Sequence, residues 1–191
     1  IFKTDNVYSL PQWTYHLDLQ ISYVGKSIFL VHSFHETSIF LTKNYLRDEY
    51  NICRENISRI EPCVDEIIEI LQSLGFIAIK CCAVLHKHIK KLSMETMKHE
   101  DYLNLTYGQG ISSSFINGID LYNNNKIYFL TTDSPILEHK SYWSSLLDGL
   151  GIIPIFLNLN GSDPQTTIEN IIAFGGSLRC QTNFLQNRYF K

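Results

Sequence analysis

Residues 115–130 read FINGIDLYNNNKIYFL, and the fold turns on how this stretch is read. Phe115–Tyr122 is expected to be a strand, and Lys126–Leu130 its return strand. Asn123, Asn124 and Asn125 form the turn between them, because Asn tolerates the left-handed backbone that a tight hairpin needs. A helix is expected next. Ser134 can cap it and Pro135 fits its first turn. Ile136, Trp143, Leu147 and Leu150 line one face, and Gly149 and Gly151 stop it. Ile152–Leu157 is then a strand. The order over 115–157 is strand, strand, helix, strand.

The same order is expected upstream. HLDLQISYV at 16–24 alternates as a strand does, Gly25-Lys26 makes a tight turn, and Ser27–Val31 is the second strand of a hairpin. The polar stretch 33–60 has no clear period. Residues 61–74 are expected to be helical, with Pro62 near the start, Val64, Ile67, Ile68, Leu71 and Leu74 at helical spacing, and Gly75 closing the segment. Phe76–Val84 is an apolar, β-branched run that suits a buried strand. Downstream, Asp163-Pro164 starts a further helix with Ile168, Ile171 and Ile172 on its inner face, and Leu178–Leu185 is a last strand. A ββαβ unit therefore occurs twice, at 16–84 and 115–157, with a long insertion at about 33–110. Repetition of one such unit predicts an α/β fold of radial, propeller-like type. A doubly wound parallel sheet is the competitor, but two hairpins with polar turns argue against it.

Bulk properties narrow the function. With 191 residues the chain can bury one sizeable core, and it is expected to be a single domain over 1–191. Its formal net charge of −3, with scattered Lys and Arg, excludes the basic footprint of a nucleic-acid binder. No apolar run is long enough to cross a membrane, and no signal peptide opens the chain. Five cysteines, an odd number, fit reduced thiols and a cytoplasmic setting. His86 and His88 could share a strand face, but no third ligand follows at a useful spacing, so no metal site is expected. Nor does any Gly-rich loop suggest a bound nucleotide.

Three short segments could carry chemistry. On a strand, His16 and Asp18 would project to one face, placing a proton carrier beside a carboxylate that can hold a cation. In GGSLRCQTN, residues 175–183, paired glycines precede Cys180. A thiol there becomes a nucleophile if a cation such as Arg179 or a protonated His lowers its pKa. The third segment, SSFING at 113–118, ends in Asn117 and Gly118 at the head of the hairpin. Each has a plainer reading: a polar strand edge, a buried structural Cys, and an ordinary strand start.

In this order the three segments resemble the guanidine-modifying (pentein) superfamily, which includes agmatine and arginine deiminases, amidinotransferases and dimethylarginine hydrolases. His16-Leu17-Asp18 followed by a hairpin resembles that group's His-x-Asp segment. SSFINGIDLYNNNKIYFL resembles its penultimate hairpin, and GGSLRCQTNFL its closing Gly-rich loop and Cys. The resemblance implies a five-bladed αβ propeller of ββαβ units around a central site, of which this chain would supply about three blades. It implies Cys180 as the nucleophile, His16 as acid and base, and Asp18 as the group that binds guanidinium nitrogens. Asn117 and Arg179 are further candidates for substrate contact. The implied substrate is a small guanidino compound or a protein arginine, with no cofactor.

Only fifteen residues precede His16, and none matches the family's upstream acidic segment. The chain is therefore expected to be the C-terminal part of a larger protein or a reduced relative, with a missing portion, a second chain or an oligomer covering its open sheet edges. Two other readings stand beside the enzyme. One is a non-catalytic relative that binds a partner. The other is a cysteine peptidase using the His-then-Cys order, which lacks an obvious oxyanion-hole donor before the Cys.

Overall fold

The computed structural model describes residues 7–13, 17–43, 47–85, 113–134 and 137–158. Two three-stranded sheets and three helices make up most of this part, in a mixed α/β arrangement. The first unit contains β1 (Ile21–Tyr23), β2 (Ile28–His32), α1 (Phe34–Lys43), α2 (Arg47–Ser73) and β3 (Ile77–Cys81). A short bridge of β4 (Val84–Leu85) and β5 (Ser113–Ser114) comes between the units in the chain. The second unit contains β6 (Ile119–Asn123), β7 (Lys126–Thr132), α3 (Leu137–Gly149) and β8 (Ile152–Leu157).

Both units have the same topology. The central strand pairs antiparallel with the strand before it and parallel with the strand after the helix. Both parallel pairs close on the same hydrogen bond, Ser33 N to Cys81 O at 3.0 Å in one and Asp133 N to Leu157 O at 3.2 Å in the other. Among the described residues the two units do not close a ring.

The hairpin turns explain part of this regularity. Asn124 and Asn125 sit at φ of 48° and 61°, the left-handed pair that a two-residue hairpin turn requires. The first unit places Lys26 and Ser27 there instead, at 51° and 59°. Lys26 has a compensating role, because its Nζ donates to Leu150 O at 3.2 Å and Gly151 O at 3.3 Å. It thereby caps the C-terminus of α3 with a positive charge, where the helix dipole favours one.

Two apolar clusters form the core. The first joins both units: Val24, Ile28, Leu30 and Cys81 meet Ile127, Phe129, Trp143, Leu147 and Ile152. Trp143 is fully buried and stacks on Phe129 with ring centroids 6.3 Å apart. Side chains of this size contribute about 2–3 kcal/mol each when buried. The second cluster lies between the other face of the first sheet and its own helices, with Val31, Phe34, Ile60, Val64, Ile67 and Leu71 at its centre.

Three element boundaries differ from expectation. The helix expected over 61–74 begins at Arg47, so Pro62 lies inside it. Ile57, Ile60, Val64, Ile67 and Leu71 continue one stripe through the proline, and their burial offsets the backbone hydrogen bond that Pro62 cannot donate. Part of 33–60, read without a period, thus belongs to α1 and α2. Leu17–Leu19 forms a single 3-10 turn, closed by Gln20 N to Leu17 O at 2.9 Å, so Asp18 is not on a strand. The cause is the neighbouring strand: β2 ends at His32, where Ser33 starts α1, so residues before Gln20 have no ladder to join. Phe115–Gly118 likewise forms a turn ahead of β6, with Gly118 N bonded to Ile116 O at 2.9 Å.

Candidate functional site

Asp18 and Asn117 stand at equivalent places, in the turns that lead into the first strand of each sheet. Asn117 Nδ2 donates to Asp18 Oδ2 at 2.5 Å, and its contact with Asp18 O is 3.4 Å. Asn117 is buried and Asp18 half-buried. Asn117 is held from behind by the close approach of Gly118 to β7. A Cβ at Gly118 would lie 2.6 Å from the Leu130 carbonyl oxygen, so only glycine fits there. Two of the five residues singled out from the sequence are thereby in contact. His16, Arg179 and Cys180 lie outside the described residues.

The carboxyl ends of the parallel strands carry further polar groups that the sequence did not mark as a set. Ser33 Oγ caps α1 by accepting from Glu36 N at 3.1 Å. The same hydroxyl donates to Glu61 Oε1 at 2.7 Å. Glu61 Oε2 accepts from Phe34 N at 3.1 Å and His35 N at 3.3 Å. A buried carboxylate from α2 therefore sits on the first amides of α1, where the helix dipole is positive. Lys80 on β3 completes the arrangement, with Nζ 2.8 Å from Glu61 Oε1 and paired also with Asp65.

Asp133 has the corresponding place in the second unit. Its Oδ1 accepts from Ser134 N at 2.8 Å, and its Oδ2 from Lys140 Nζ at 2.8 Å and Asn158 Nδ2 at 3.1 Å. Both carboxylates have their acceptor capacity used by the protein, which fits them to hold the ends of helices and strands.

Between the units lies a buried group of His32, Cys81, Cys82, His139 and Trp143, with the partly buried Tyr142 packed against it. The Cys82 carbonyl faces both His139 Nε2, at 2.9 Å, and Trp143 Nε1, at 3.1 Å. One carbonyl with two lone pairs can accept from both if Nε2 carries the histidine proton. Tyr142 Oη accepts from Cys82 N at 3.0 Å. His32 Nδ1 accepts from Ala83 N at 3.3 Å, while its Nε2 has no hydrogen-bond partner among the described residues. Burial holds the His32 imidazole at about 3, and the nearby His139 lowers it further, against a backbone contact with Cys81 that raises it.

The described thiols are poor nucleophiles. Burial pushes Cys82 up to about 12 and Cys81 well above the ordinary thiol value. Cys63, on α2, is raised mainly by partial burial and then by Glu66. A thiol held this way carries little thiolate at neutral pH. Among the described residues, no three His, Cys, Asp or Glu side chains come together as a metal site would require, and no helix is long and apolar enough to cross a membrane.

No protein-family model, curated protein or solved structure matches this chain.

Proposed function

We propose that the chain is part of a thiol-dependent enzyme acting on a guanidino compound, within a partial propeller of ββαβ units. The observation that carries this reading is the hydrogen bond between Asp18 and Asn117. Two repeats of one topology bring together two side chains expected to face a guanidinium group. A planar cation needs a carboxylate near its plane, and an amide held against that carboxylate fixes its orientation.

In this reaction the Cys180 thiolate attacks the guanidinium carbon. The new C–S bond forms as a C–N bond breaks, and His16 gives the departing amine its proton. The product is a covalent thiouronium. His16 then takes a proton from water, or from an acceptor amine, as that nucleophile attacks the same carbon. Collapse expels the thiolate and leaves a ureido or a transferred amidino product. Asp18 holds the guanidinium nitrogens in both steps.

The same Asp18–Asn117 contact would serve a non-catalytic relative as a tie between the units, and one experiment separates the two readings. The intact protein is incubated with a haloacetamidine, a reactive guanidinium mimic, and its adducts are located by mass spectrometry. The enzyme reading expects one fast adduct at Cys180, slowed by His16→Ala and by Asp18→Asn, and release of ammonia or amine from a guanidino substrate. Equal labelling of Cys180 and the other four cysteines, with no product from any guanidino compound, would favour the binding protein.

A further inference from the structure

Two hydrogen bonds separate His32 from each of the turns that carry Asp18 and Asn117. On one side the His32 backbone N–H donates to Gln20 O at 2.8 Å, and Gln20 N donates to Leu17 O at 2.9 Å. That second bond closes the 3-10 turn of Asp18. On the other side the His32 ring accepts at Nδ1 from Ala83 N at 3.3 Å. Ala83 O then accepts from Phe115 N at 2.9 Å, at the head of the turn of Asn117. Thr131 Oγ1 steadies the same turn from β7, donating to Phe115 O at 2.8 Å.

Cys82 and Ala83 are the first residues to leave β3, and side chains of both units hold their backbone. Cys82 N donates to Tyr142 Oη at 3.0 Å, and Cys82 O faces His139 Nε2 and Trp143 Nε1, all on α3. Ala83 N is held from the first unit, by the His32 ring. Cys82, Ala83, Phe115 and Asn117 are buried, so loss of an acceptor here is not readily made good by water. A backbone amide only donates, so the Ala83 bond fixes the ring as the tautomer with a bare Nδ1 and a proton on Nε2. Burial keeps the ring neutral down to about 3, and Nδ1 therefore stays an acceptor.

We infer that His32 is a positioning residue for the Asp18–Asn117 pair, holding one turn through its backbone and the other through its ring. It acts through Ala83 and Phe115, which set how Asn117 Nδ2 meets Asp18 Oδ2. Without Nδ1 the Ala83 amide must turn toward another acceptor, and Phe115 and Asn117 shift with it. Hydrogen bonds weaken steeply with misalignment, so a small shift is enough to loosen the pair. The consequence for a guanidino substrate rests on the function proposed above; the effect on the pair itself does not. Groups that bind a ligand keep their geometry when a supporting shell of this kind locks them.

The test compares the full wild-type chain with His32→Asn and His32→Leu. Asn places an acceptor oxygen near the position of Nδ1, whereas Leu keeps the apolar bulk and offers no acceptor. Two rates are read: solvent exchange of the Asn117 side-chain amide protons by 15N NMR, and labelling of Cys180 by a haloacetamidine. Exchange in His32→Asn should stay within about threefold of wild type, and in His32→Leu it should quicken by roughly tenfold or more, the scale of one lost hydrogen bond. Labelling should slow in the same order. If Leu protects Asn117 as well as Asn does, the bulk of the ring matters and not its acceptor, and the inference is overturned. A folding defect in the variants is met by a measurement on the unaltered protein. The 15N shifts of the His32 ring should show the proton on Nε2; a proton on Nδ1 would overturn the inference, because that nitrogen could not then accept from Ala83. Exchange in the expected order with no preference for Cys180 in any of the three proteins would uphold the role of His32 and overturn the guanidino function instead.

Discussion

Asn117 Nδ2 lies 2.5 Å from Asp18 Oδ2, so one hydrogen bond joins the entry turns of two sheets that are 99 positions apart in the chain. The bond is charge-assisted and one partner is buried, which places it among the stronger kinds. It belongs to the junction between the units whether or not a substrate binds there. Asn117→Ala should lower stability by about 1–3 kcal/mol, because the Asp18 carboxylate loses a donor in a half-buried setting. Asp18→Asn should cost less, about 1 kcal/mol. A double-mutant cycle by urea denaturation should return a coupling of at least about 0.5 kcal/mol between the two positions. Additive effects would mean that the bond is absent in solution.

The carboxylate of Glu61 supports a helix to which it does not belong. Its partners are Ser33 Oγ, Phe34 N, His35 N and Lys80 Nζ. Glu61→Ala would strand two amides and a hydroxyl at a buried helix start, and should cost roughly 3–5 kcal/mol. Glu61→Gln keeps one acceptor oxygen and should cost about half as much. Thermal unfolding followed by circular dichroism gives both numbers. Amide exchange at Phe34 and His35 should quicken in Glu61→Ala even under conditions where the protein stays folded.

These two relationships show which parts of the structure a sequence reveals. The second unit was legible because its elements are consecutive and short. The Asn turn, the Ser-Pro helix start and the strand at 152–157 each carry a local signal. Of α2 only the part from Glu61 onward was legible, and α1 was not, because Glu61 interrupts the apolar stripe and Pro62 reads as a helix start. Glu61 is on the buried side for a reason that lies 28 positions away, at Ser33. Asp18 and Asn117 were singled out by resemblance to motifs, yet the strand expected to carry Asp18 is a turn. The pairing of a strand depends on where its neighbour ends, and that end is set by the cap of a helix. His32 gave no signal at all, since a histidine at the end of an apolar run looks the same exposed or buried.

Gly118 is a position where size alone decides. An added methyl group would meet the Phe129 ring and stand 2.6 Å from the Leu130 carbonyl oxygen, which belongs to the central strand and cannot move aside without breaking the sheet. Gly118→Ala should therefore destabilise by about 2–4 kcal/mol, within the range for overpacking and strain. Gly75, in a left-handed turn with open space around it, is a useful comparison. Its replacement by Ala should cost only about 1 kcal/mol, from backbone strain. If both substitutions cost the same in a denaturant titration, the close approach of β7 to the Asn117 turn is wrong.

His32 should make the fold acid-sensitive. It is fully buried against the Phe34 ring, with centroids 4.7 Å apart, and burial first and His139 second hold its imidazole neutral down to about 3. In the unfolded chain the same group takes a proton near 6.5. Between these values the unfolded state binds more protons than the folded one, so stability rises with pH across this window. The contribution is present in full above about 6.5 and declines as pH falls toward about 3, by up to roughly 1.4 kcal/mol per unit. His32→Asn removes the titration and can offer an oxygen near the place of Nδ1 to accept from Ala83 N. Urea midpoints measured from pH 7 to pH 4.5 should fall more steeply for the wild type than for His32→Asn, by a difference of about 2–3 kcal/mol over that range. Parallel curves would show that water or a proton reaches His32 in the folded protein, and that the junction between the two units is open.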